Sequence, residues 1–300
     1  MNTRHILLAV SITCAFQACD RPLLQGEWQV VAGGFSFPEG PAWDGDGSLY
    51  VSNCYGDWLA CLRNGVIDTV AHASDSTFNR TNGLFVDTDG IIYACDYAAG
   101  AIRSLSPDGC VRTLVAGYAG RPFSRPNDLI VFGDQLYFTD PAGYGVDKLA
   151  GRLFRYNLSS CELVLAADRL AYPNGLALSP RDDRLYVCES ARNRIISFSW
   201  SDAGDLADPV EFVHLPGGDP DGIEFDRAGN LYVAHFGGGA VYVIAPDGTI
   251  LQKIVTPGRK PSNLEFGGND GQTLFLTEVE TNTVYQIRTR IAGARTKLGK

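Results

Sequence analysis

After its first twenty residues, the sequence lacks convincing helical periodicity. No segment there repeats apolar residues at i, i+3, i+4 and i+7. Short runs of β-branched and aromatic residues alternate instead with clusters of Gly, Pro, Asn and Asp, and 34 of the 300 residues are glycine. This pattern argues against a helical fold and predicts an all-β protein.

Basic residues are scarce. The chain has 25 Lys and Arg against 34 Asp and Glu, for a net charge of −9. A phosphate-backbone partner needs clustered basic residues, so we expect no nucleic-acid ligand. The one basic cluster is the C-terminal tail 291–300, around Arg295, Lys297 and Lys300, which we expect to be a solvated end.

No long apolar segment follows the N-terminal one, and that one is too short to span a bilayer. Residues 1–19 have a basic start at Arg4 and an apolar run from Ile6 to Phe16, which predicts a signal peptide. The segment 15–19 resembles a lipobox, although Gln17 fits it poorly. We expect an exported, periplasmic bacterial lipoprotein, attached to the membrane only through a lipid on Cys19. Plain secretion is the alternative.

Sequence signatures of two common kinds of site are missing. No Cys-x-x-Cys element occurs, which argues against a cysteine-ligated zinc site. The four histidines form no visible Ser-His-Asp triad and no Gly-x-Ser-x-Gly is found, so covalent serine catalysis is not expected. Cys54 and Cys61 flank a predicted hairpin and could form a disulfide.

A Leu-Tyr-like pair recurs six times along the chain. The pairs are Leu49-Tyr50, Ile92-Tyr93, Leu136-Tyr137, Leu185-Tyr186, Leu231-Tyr232 and Leu274-Phe275, and the aromatic residues are 43, 44, 49, 46 and 43 positions apart. A period near 45 with about four short strands per unit is typical of a β-propeller blade. We predict a single six-bladed β-propeller domain over residues 27–290, with four-stranded blades. An array of β-sandwiches is the alternative, but its spacing would be less even.

A propeller must cover its first and last sheet edges. The last unit has predicted strands near Ser262–Phe266, Thr273–Glu278 and Thr283–Arg288, but no fourth strand. We predict that the N-terminal strand Glu27–Ala32 fills this outer place and closes the last blade.

An oxygen-bearing side chain precedes each repeated aromatic by ten to twelve residues. These residues are Glu39, Asn82, Asn127, Asn174, Asp221 and Asn263. The first strand of each blade lines the central channel of a propeller, so the six should meet in a ring at one channel mouth. The alternative is that the Asn-Gly and Asp-Gly pairs only form turns. Turn formation does not account for Glu39, because glutamate has no special role in turns.

The ring composition predicts a divalent cation. Without a cation, Glu39 and Asp221 would repel each other and resist ionisation. Carboxylates, amide carbonyls and water are the ligands that calcium prefers. Calcium is the expected cofactor, with zinc, manganese and magnesium as alternatives.

Five ordered blocks at blade spacing resemble one family. The blocks are PEGPAW (38–43), RPNDL (125–129), PNGLALSPRDDRLYV (173–187), PDGIEFDRAGNLYVAHFGGGAVYVIAPDG (220–248) and NLEFGGNDGQTLFLTE (263–278). Over about Phe37 to Glu278 the sequence resembles the SMP-30/gluconolactonase family, which includes regucalcin, bacterial lactonases and the squid-type diisopropylfluorophosphatase.

The resemblance implies roles for particular residues. Glu39, Asn174 and Asp221 would hold the metal, and Asn127 would be a further ligand or a substrate contact. Arg125 matches a substrate-binding arginine. Arg80 has the same Arg-x-Asn form, but only "RPND" stands in the third unit, as the family pattern requires.

Three further residues have less definite expectations. Asn82 and Asn263 would line the channel or support the ligands. His235 either faces the channel or packs within its strand.

The resemblance implies a metal-dependent lactonase that opens a sugar lactone to its aldonic acid. Asp221 would be the catalytic residue, either as the base for the attacking water or only as a metal ligand that orients it. One alternative is a hydrolase of other esters or phosphotriesters at the same site. Another is a non-catalytic NHL-like binding propeller, which would not need the Glu39–Asp221 pair. The partner is a small-molecule lactone, and the oligomeric state is left open.

Overall fold

The chain forms six four-stranded antiparallel sheets, arranged as the blades of a β-propeller. The computed structural model describes residues 22–73, 78–181, 184–201 and 205–294, and the only helix in these ranges is the 3-10 turn Ser190–Arg192. The predicted all-β, six-bladed propeller is confirmed. The predicted signal peptide, with Cys19, and the tail residues Arg295, Lys297 and Lys300 lie outside the described residues, so both remain predictions.

Strands are numbered in chain order. The described residues form β1 (Leu24–Gly33), then blade one with β2 (Pro38–Trp43), β3 (Ser48–Asn53), β4 (Trp58–Arg63) and β5 (Val66–His72), and blade two with β6 (Thr81–Val86), β7 (Ile92–Asp96), β8 (Ala101–Leu105) and β9 (Val111–Val115). Blade three has β10 (Leu129–Phe132), β11 (Gln135–Asp140), β12 (Gly151–Asn157) and β13 (Leu163–Leu170), and blade four has β14 (Pro173–Leu178), β15 (Leu185–Glu189), β16 (Arg194–Trp200) and β17 (Leu206–His214). Blade five has β18 (Asp219–Phe225), β19 (Leu231–Phe236), β20 (Ala240–Ile244) and β21 (Ile250–Val255), and blade six has β22 (Pro261–Gly267), β23 (Thr273–Glu278) and β24 (Thr283–Thr289) together with β1.

The first strand of each blade lies innermost. Strands β2, β6, β10, β14, β18 and β22 contact one another in that order, and β22 contacts β2 again. These contacts close a circle around the channel, which is where the sequence placed the polar ring.

The N-terminal strand closes the circle from outside. β1 pairs antiparallel with β24 and forms the outer edge of blade six. Its start is fixed by Gln252 of blade five, whose Oε1 accepts hydrogen bonds from the backbone N–H groups of Leu23 and Leu24. The predicted closing strand Glu27–Ala32 is confirmed and is longer at both ends.

Six apolar clusters fill the six interfaces between adjacent blades. The repeated aromatic residue of each second strand belongs to a different one of these clusters, with Tyr50 at the margin of the one between blades one and two. The pairs Tyr186–Phe225 and Tyr232–Phe266, for example, have ring centroids 5.0 Å apart across two such interfaces. The sequence repeat therefore marks the residue that packs each blade on its neighbour.

The described chain continues past the expected domain boundary at residue 290. Ala292 and Ala294 are buried, and the Ala294 N–H donates to the Phe225 carbonyl at 2.8 Å. Residues 291–294 thus pack on the propeller instead of forming a solvated end.

Cysteines of the described residues are all free thiols, so the candidate bridge between Cys54 and Cys61 is not formed. Within the same residues, no helix has the length and apolar character needed to cross a membrane.

Candidate active site

Strand register places the predicted ring residues at one repeated position. In blades one, two, four and five, the residue just before the ring residue pairs with the last or second-last residue of the second strand. These preceding residues are Pro38, Thr81, Pro173 and Pro220. In blade three, the Asn127 N–H donates to the Thr139 carbonyl at 2.9 Å.

Blade six differs from the prediction. Pro261 pairs with Glu278, so Ser262 takes the ring position. The prediction of Asn263 at this position is wrong by one residue, because the hairpin between the first two strands is longer here: Phe266 pairs with Leu274, eight positions on, whereas the equivalent Phe225 of blade five pairs with Leu231, six positions on.

The inner strands share a β-bulge at the ring. Register shifts follow Glu39, Thr81, Pro173, Pro220 and Pro261. A bulge bends the strand and re-aims the side chains beside it. It accounts for buried polar side chains, such as Glu39 and Asn174, at the ends of strands that are otherwise apolar.

Close backbone approach explains why glycine follows most ring residues. Gly83, Gly175 and Gly222 lie inside strands and do not have positive φ. A Cβ atom on Gly175 would lie 2.2 Å from the Asp221 carbonyl oxygen, and one on Gly222 would lie 2.1 Å from Asn263 Oδ1. The turn-only interpretation is therefore wrong for these pairs, since the glycines make room for the next inner strand.

A cavity of about 260 Å³ opens at the ring. Most of its lining comes from three repeated positions. The ring position contributes Glu39, Asn82, Asn127, Asn174 and Asp221, and the position two residues earlier contributes Phe37, Arg125, Tyr172 and Asp219. The position just after the second strand contributes Cys54, Tyr97, Pro141 and Ser190 in blades one to four, and its equivalent in blade five is Phe236, the last residue of β19. Tyr55 and Tyr144 complete the lining.

The structure brings together all the predicted ligands and substrate contacts. Glu39, Asn127, Asn174, Asp221 and Arg125 line this one cavity. Arg80 does not line it, and its Nε lies 3.2 Å from Asp57 Oδ1 in an exposed ion pair. The position of Arg125 thus supports its choice over Arg80.

His235 packs within its strand and is not part of the cavity lining. The side chain is 1% exposed, and its Nε2 lies 3.0 Å from the Leu215 carbonyl oxygen. Of the two expectations for His235, the structure agrees with the packed one.

Three buried carboxyl groups interact around the channel. Burial and the nearby Asp128 raise the pKa of Glu39 to about 8. Burial, together with Glu39 and Asp128, raises the pKa of Asp221 well above its usual range. Like charges in a poorly solvated space disfavour ionisation of Glu39 and Asp221. Without a cation, Glu39 and Asp221 therefore resist being ionised together.

Sequence reasoning missed Asp128. This residue follows Asn127 where blades one, two, four and five have glycine. Its Oδ1 accepts the Leu129 N–H at 2.9 Å, and Asn263 connects it to the ring: the Asn263 Nδ2 lies 3.5 Å from Asp128 Oδ2, and the same side chain hydrogen-bonds Glu39. The departure from glycine in the third copy of the repeat was the available signal.

Polar residues at the ends of the second strands fix the backbone that leads into the ring. Asp140 Oδ1 accepts the N–H of Arg125 at 2.8 Å, and Glu189 Oε1 accepts the N–H of Ala171 at 2.7 Å. Glu278 accepts the N–H of Lys260 in the same way. These bonds hold the segments before the ring residues and, with them, the rim of the cavity.

Aromatic side chains form much of the rim. Phe37 packs on Tyr55 with ring centroids 4.7 Å apart, and Tyr172 packs on Tyr144 at 5.3 Å. Phe37 and Tyr172 have φ of 64° and 57°, which is unusual for bulky residues. Such strain persists where the surroundings impose it, and here it falls on two residues of the cavity. Apolar faces around convergent polar groups suit a small polar ligand.

Comparison with known proteins identifies close similarity over most of the chain. The model of the SMP-30/gluconolactonase/LRE-like region matches residues 37–280. A gluconolactonase of Zymomonas mobilis is 31% identical over 88% of this chain and 82% of its own length. A solved gluconolactonase structure from Xanthomonas campestris is 31% identical, with a TM-score of 0.77 over 87% of this chain and 89% of that one.

A relative of another substrate class also matches. The diisopropyl-fluorophosphatase of Loligo vulgaris is 28% identical over 56% of this chain and 58% of its own length. The similarity to this relative therefore covers little more than half of either protein.

Proposed function

The chain belongs to the SMP-30/gluconolactonase/LRE-like family, and from this premise we propose that it is a divalent-metal-dependent hydrolase that opens a sugar lactone in the channel cavity. Gluconolactonase relatives confirm the predicted enzyme class, a lactone hydrolase. The observation that supports the site is the convergence of Glu39, Asn127, Asn174, Asp221 and Arg125 in one cavity.

The residues present fit a hard cation. Glu39 and Asp221 are buried carboxyls that disfavour each other's ionisation, and a cation would remove that conflict. Asn82 lines the same cavity, and its side-chain oxygen is buried without a hydrogen-bond partner. Within the described part of the chain, no three His, Cys, Asp or Glu side chains are grouped as metal ligands, and the proposed set instead combines two carboxylates with two amides. Such oxygen ligands favour calcium over softer metals.

Each residue has a proposed role. Glu39, Asn127, Asn174 and Asp221 would hold the cation, which when bound would polarise the lactone carbonyl as a Lewis acid. Asn174 hydrogen-bonds Asp221 and stabilises its charged form. Asp221 would orient the attacking water or accept its proton. Arg125, on the exposed rim, would bind the substrate's hydroxyl groups.

The first test is hydrolysis of D-glucono-1,5-lactone, measured above the spontaneous rate, after chelation and after each divalent cation is restored. We expect chelation to abolish turnover and calcium to restore it. Glu39→Gln and Asp221→Asn should lose bound metal and turnover together, whereas Asp46→Asn, at a carboxyl that is 95% exposed, should keep both. Metal retained in both cavity variants would contradict the proposed ligand set.

A phosphotriester or aryl ester substrate is the second candidate, favoured by the similarity to diisopropyl-fluorophosphatase. The same cavity would serve either reaction, so the two candidates differ in which substrate is turned over faster. Faster turnover of diisopropyl fluorophosphate than of several sugar lactones would favour this second candidate.

We further propose that the protein is exported and anchored through Cys19, on the sequence of residues 1–19 alone. Cys19→Ser should then move the protein from the membrane fraction to the soluble fraction. Unchanged fractionation would contradict the anchor.

A further inference from the structure

Blade three has an enlarged connection at the cavity mouth. The segment between its second and third strands, 141–150, has ten residues, whereas the equivalent segments of the other five blades have three or four. It also explains part of the longest sequence interval, the 49 residues between Tyr137 and Tyr186. A long loop among short equivalents often has a function of its own.

Tyr144 of this segment crosses from blade three to blade five. Its hydroxyl lies 3.0 and 2.9 Å from the two carboxylate oxygens of Asp219, the first residue of β18. Between these two ends lies blade four, and the Tyr144 ring packs edge-on against Tyr172 there, with ring centroids 5.3 Å apart. Tyr144, Tyr172 and Asp219 all line the cavity.

A second contact ties the same segment to blade four. Arg192 Nε donates to the Val146 carbonyl oxygen at 3.3 Å. The segment is thus attached at Tyr144 and again at Val146, although Tyr144 itself is 54% exposed. Its outer side faces solvent while its hydroxyl end closes the cavity wall.

Tyr144 differs in origin from most of the lining. Fourteen of the sixteen lining residues come from positions that recur in the repeat, whereas Tyr144 comes from the enlarged segment. Repeated positions supply the ring and the rim. Segment 141–150 is found in blade three alone, so it is suited to determine which substrates fit the cavity.

We propose that the Tyr144–Asp219 hydrogen bond is a specificity-determining bridge, which closes the cavity above blade four and restricts the site to compact lactones. A lactone keeps its leaving alkoxide within one ring, so it needs little room on that side. An aryl ester or phosphotriester needs space for a separate leaving group, which the bridge occupies. This inference rests on the proposed lactonase function.

The test compares a compact and a bulky substrate, D-glucono-1,5-lactone and 1-naphthyl acetate, on the full-length metal-loaded protein. For Tyr144→Ala we expect the kcat/KM ratio of naphthyl ester to lactone to rise about tenfold. Tyr144→Phe, which keeps the ring against Tyr172, should give a smaller rise. Tyr93→Phe is the matched control, because it removes a similar hydroxyl–carboxylate bond, 3.2 Å to Asp87 Oδ2, outside the cavity lining. A ratio in Tyr144→Ala within twofold of the wild type would overturn the proposal.

A second measurement does not depend on turnover. In Tyr144→Phe, backbone hydrogen exchange over 143–149 should become faster than in the wild type, and it should stay unchanged in Tyr93→Phe. If the wild type hydrolyses neither substrate, the proposed function and the specificity role fail together, while exchange still decides whether the bridge holds the segment. Unchanged exchange in Tyr144→Phe would overturn the bridge itself.

Discussion

Gly175 follows the proposed ligand Asn174, and the space for its missing side chain is occupied by backbone. A Cβ there would lie 2.2 Å from the Asp221 carbonyl oxygen and 2.8 Å from the Gly222 Cα. We expect Gly175→Ala to lower the free energy of unfolding by about 2–3 kcal/mol, since two inner strands must separate. Turnover should fall even where the variant is still fully folded, because the same movement displaces Asp221.

Denaturant unfolding and lactone hydrolysis measure the two effects. Gly33→Ala is the control, because Gly33 has ordinary φ and its nearest foreign atom would be Thr283 Oγ1 at 3.6 Å. Its unfolding free energy should change by less than about 0.5 kcal/mol. Equal costs at the two glycines would contradict the close-approach explanation.

His235 should make stability depend on pH. Because a carbonyl can only accept, Nε2 donates to Leu215, and Nδ1 is buried without a partner. Burial lowers the pKa of His235 below 6.5; the hydrogen bond to Leu215, the Gly218 backbone and the charge of Asp219 oppose the shift, and Lys253 adds to it. The unfolded chain therefore binds a proton more readily, and this stability contribution, complete above pH 6.5, is lost as pH falls towards the folded pKa.

The measurement is unfolding free energy against pH for the wild type and His235→Gln, whose amide can still donate to Leu215. The difference between them should slope by up to about 1.4 kcal/mol per pH unit just below pH 6.5. Buried carboxyls with raised pKa values act in the opposite direction, but they are common to both proteins and cancel. Parallel profiles would refute the role of His235.

Five of the six ring residues were predictable because the distance from ring to aromatic stays almost constant along the repeat. Ser262 was not, since two extra residues in the first hairpin of blade six place it 13 positions before Phe275, outside the ten to twelve positions found in the other blades. Asp128 was missed because an Asn-Asp pair is typical of an ordinary turn. Its difference from glycine is visible only when the blades are aligned. Residue types thus predict the chemistry of the site. Which residue occupies each ring position depends on strand register, which is a property of the backbone.

At the scale of elements, β1 holds the propeller closed. Leu24 is 2% exposed and belongs to the apolar cluster between blades five and six, although it lies about 240 positions before Leu264 and Phe266 in the same cluster. We expect Leu24→Ala to lower the free energy of unfolding by about 2–4 kcal/mol, because it leaves a cavity where the closing strand is anchored.

Val30 in the same strand provides the control. It is 67% exposed, so Val30→Ala should change the unfolding free energy by less than about 0.5 kcal/mol. Urea unfolding measures both variants. A small cost at Leu24 would mean that β1 pairs with β24 without contributing to closure.

The closing strand could be predicted, whereas the enlarged segment 141–150 could not. A propeller with an incomplete last blade has one physical solution, which is an outer strand from the other end of the chain. A surface segment is under no such constraint. Its path depends on contacts such as the one between Tyr144 and Asp219, which produce no repeating pattern in the sequence. Its length alone was visible, as the longest interval between repeated aromatics.

At the scale of the whole molecule, the proposed cation would join blades that are far apart in sequence. Glu39, Asn127, Asn174 and Asp221 come from blades one, three, four and five. Binding to this set is possible only when the circle is closed, so it must stabilise the folded state. Calcium at one hundred times its Kd should raise the unfolding free energy by about 2.7 kcal/mol. Thermal unfolding of the chelated protein, with and without calcium, measures this effect.

Charge screening must be separated from binding, because salt alone weakens self-repulsion in a chain of net charge −9. Potassium chloride at equal ionic strength provides the comparison, and Asp221→Asn, which removes one ligand charge, should unfold alike in both salts. The proposed cation site would be contradicted if potassium chloride stabilised the protein as much as calcium does. It would also be contradicted if calcium still stabilised both Glu39→Gln and Asp221→Asn. If calcium, but not potassium, stabilises the wild type and this stabilisation is lost in both variants, the ion that stabilises the closed propeller binds in the proposed active site.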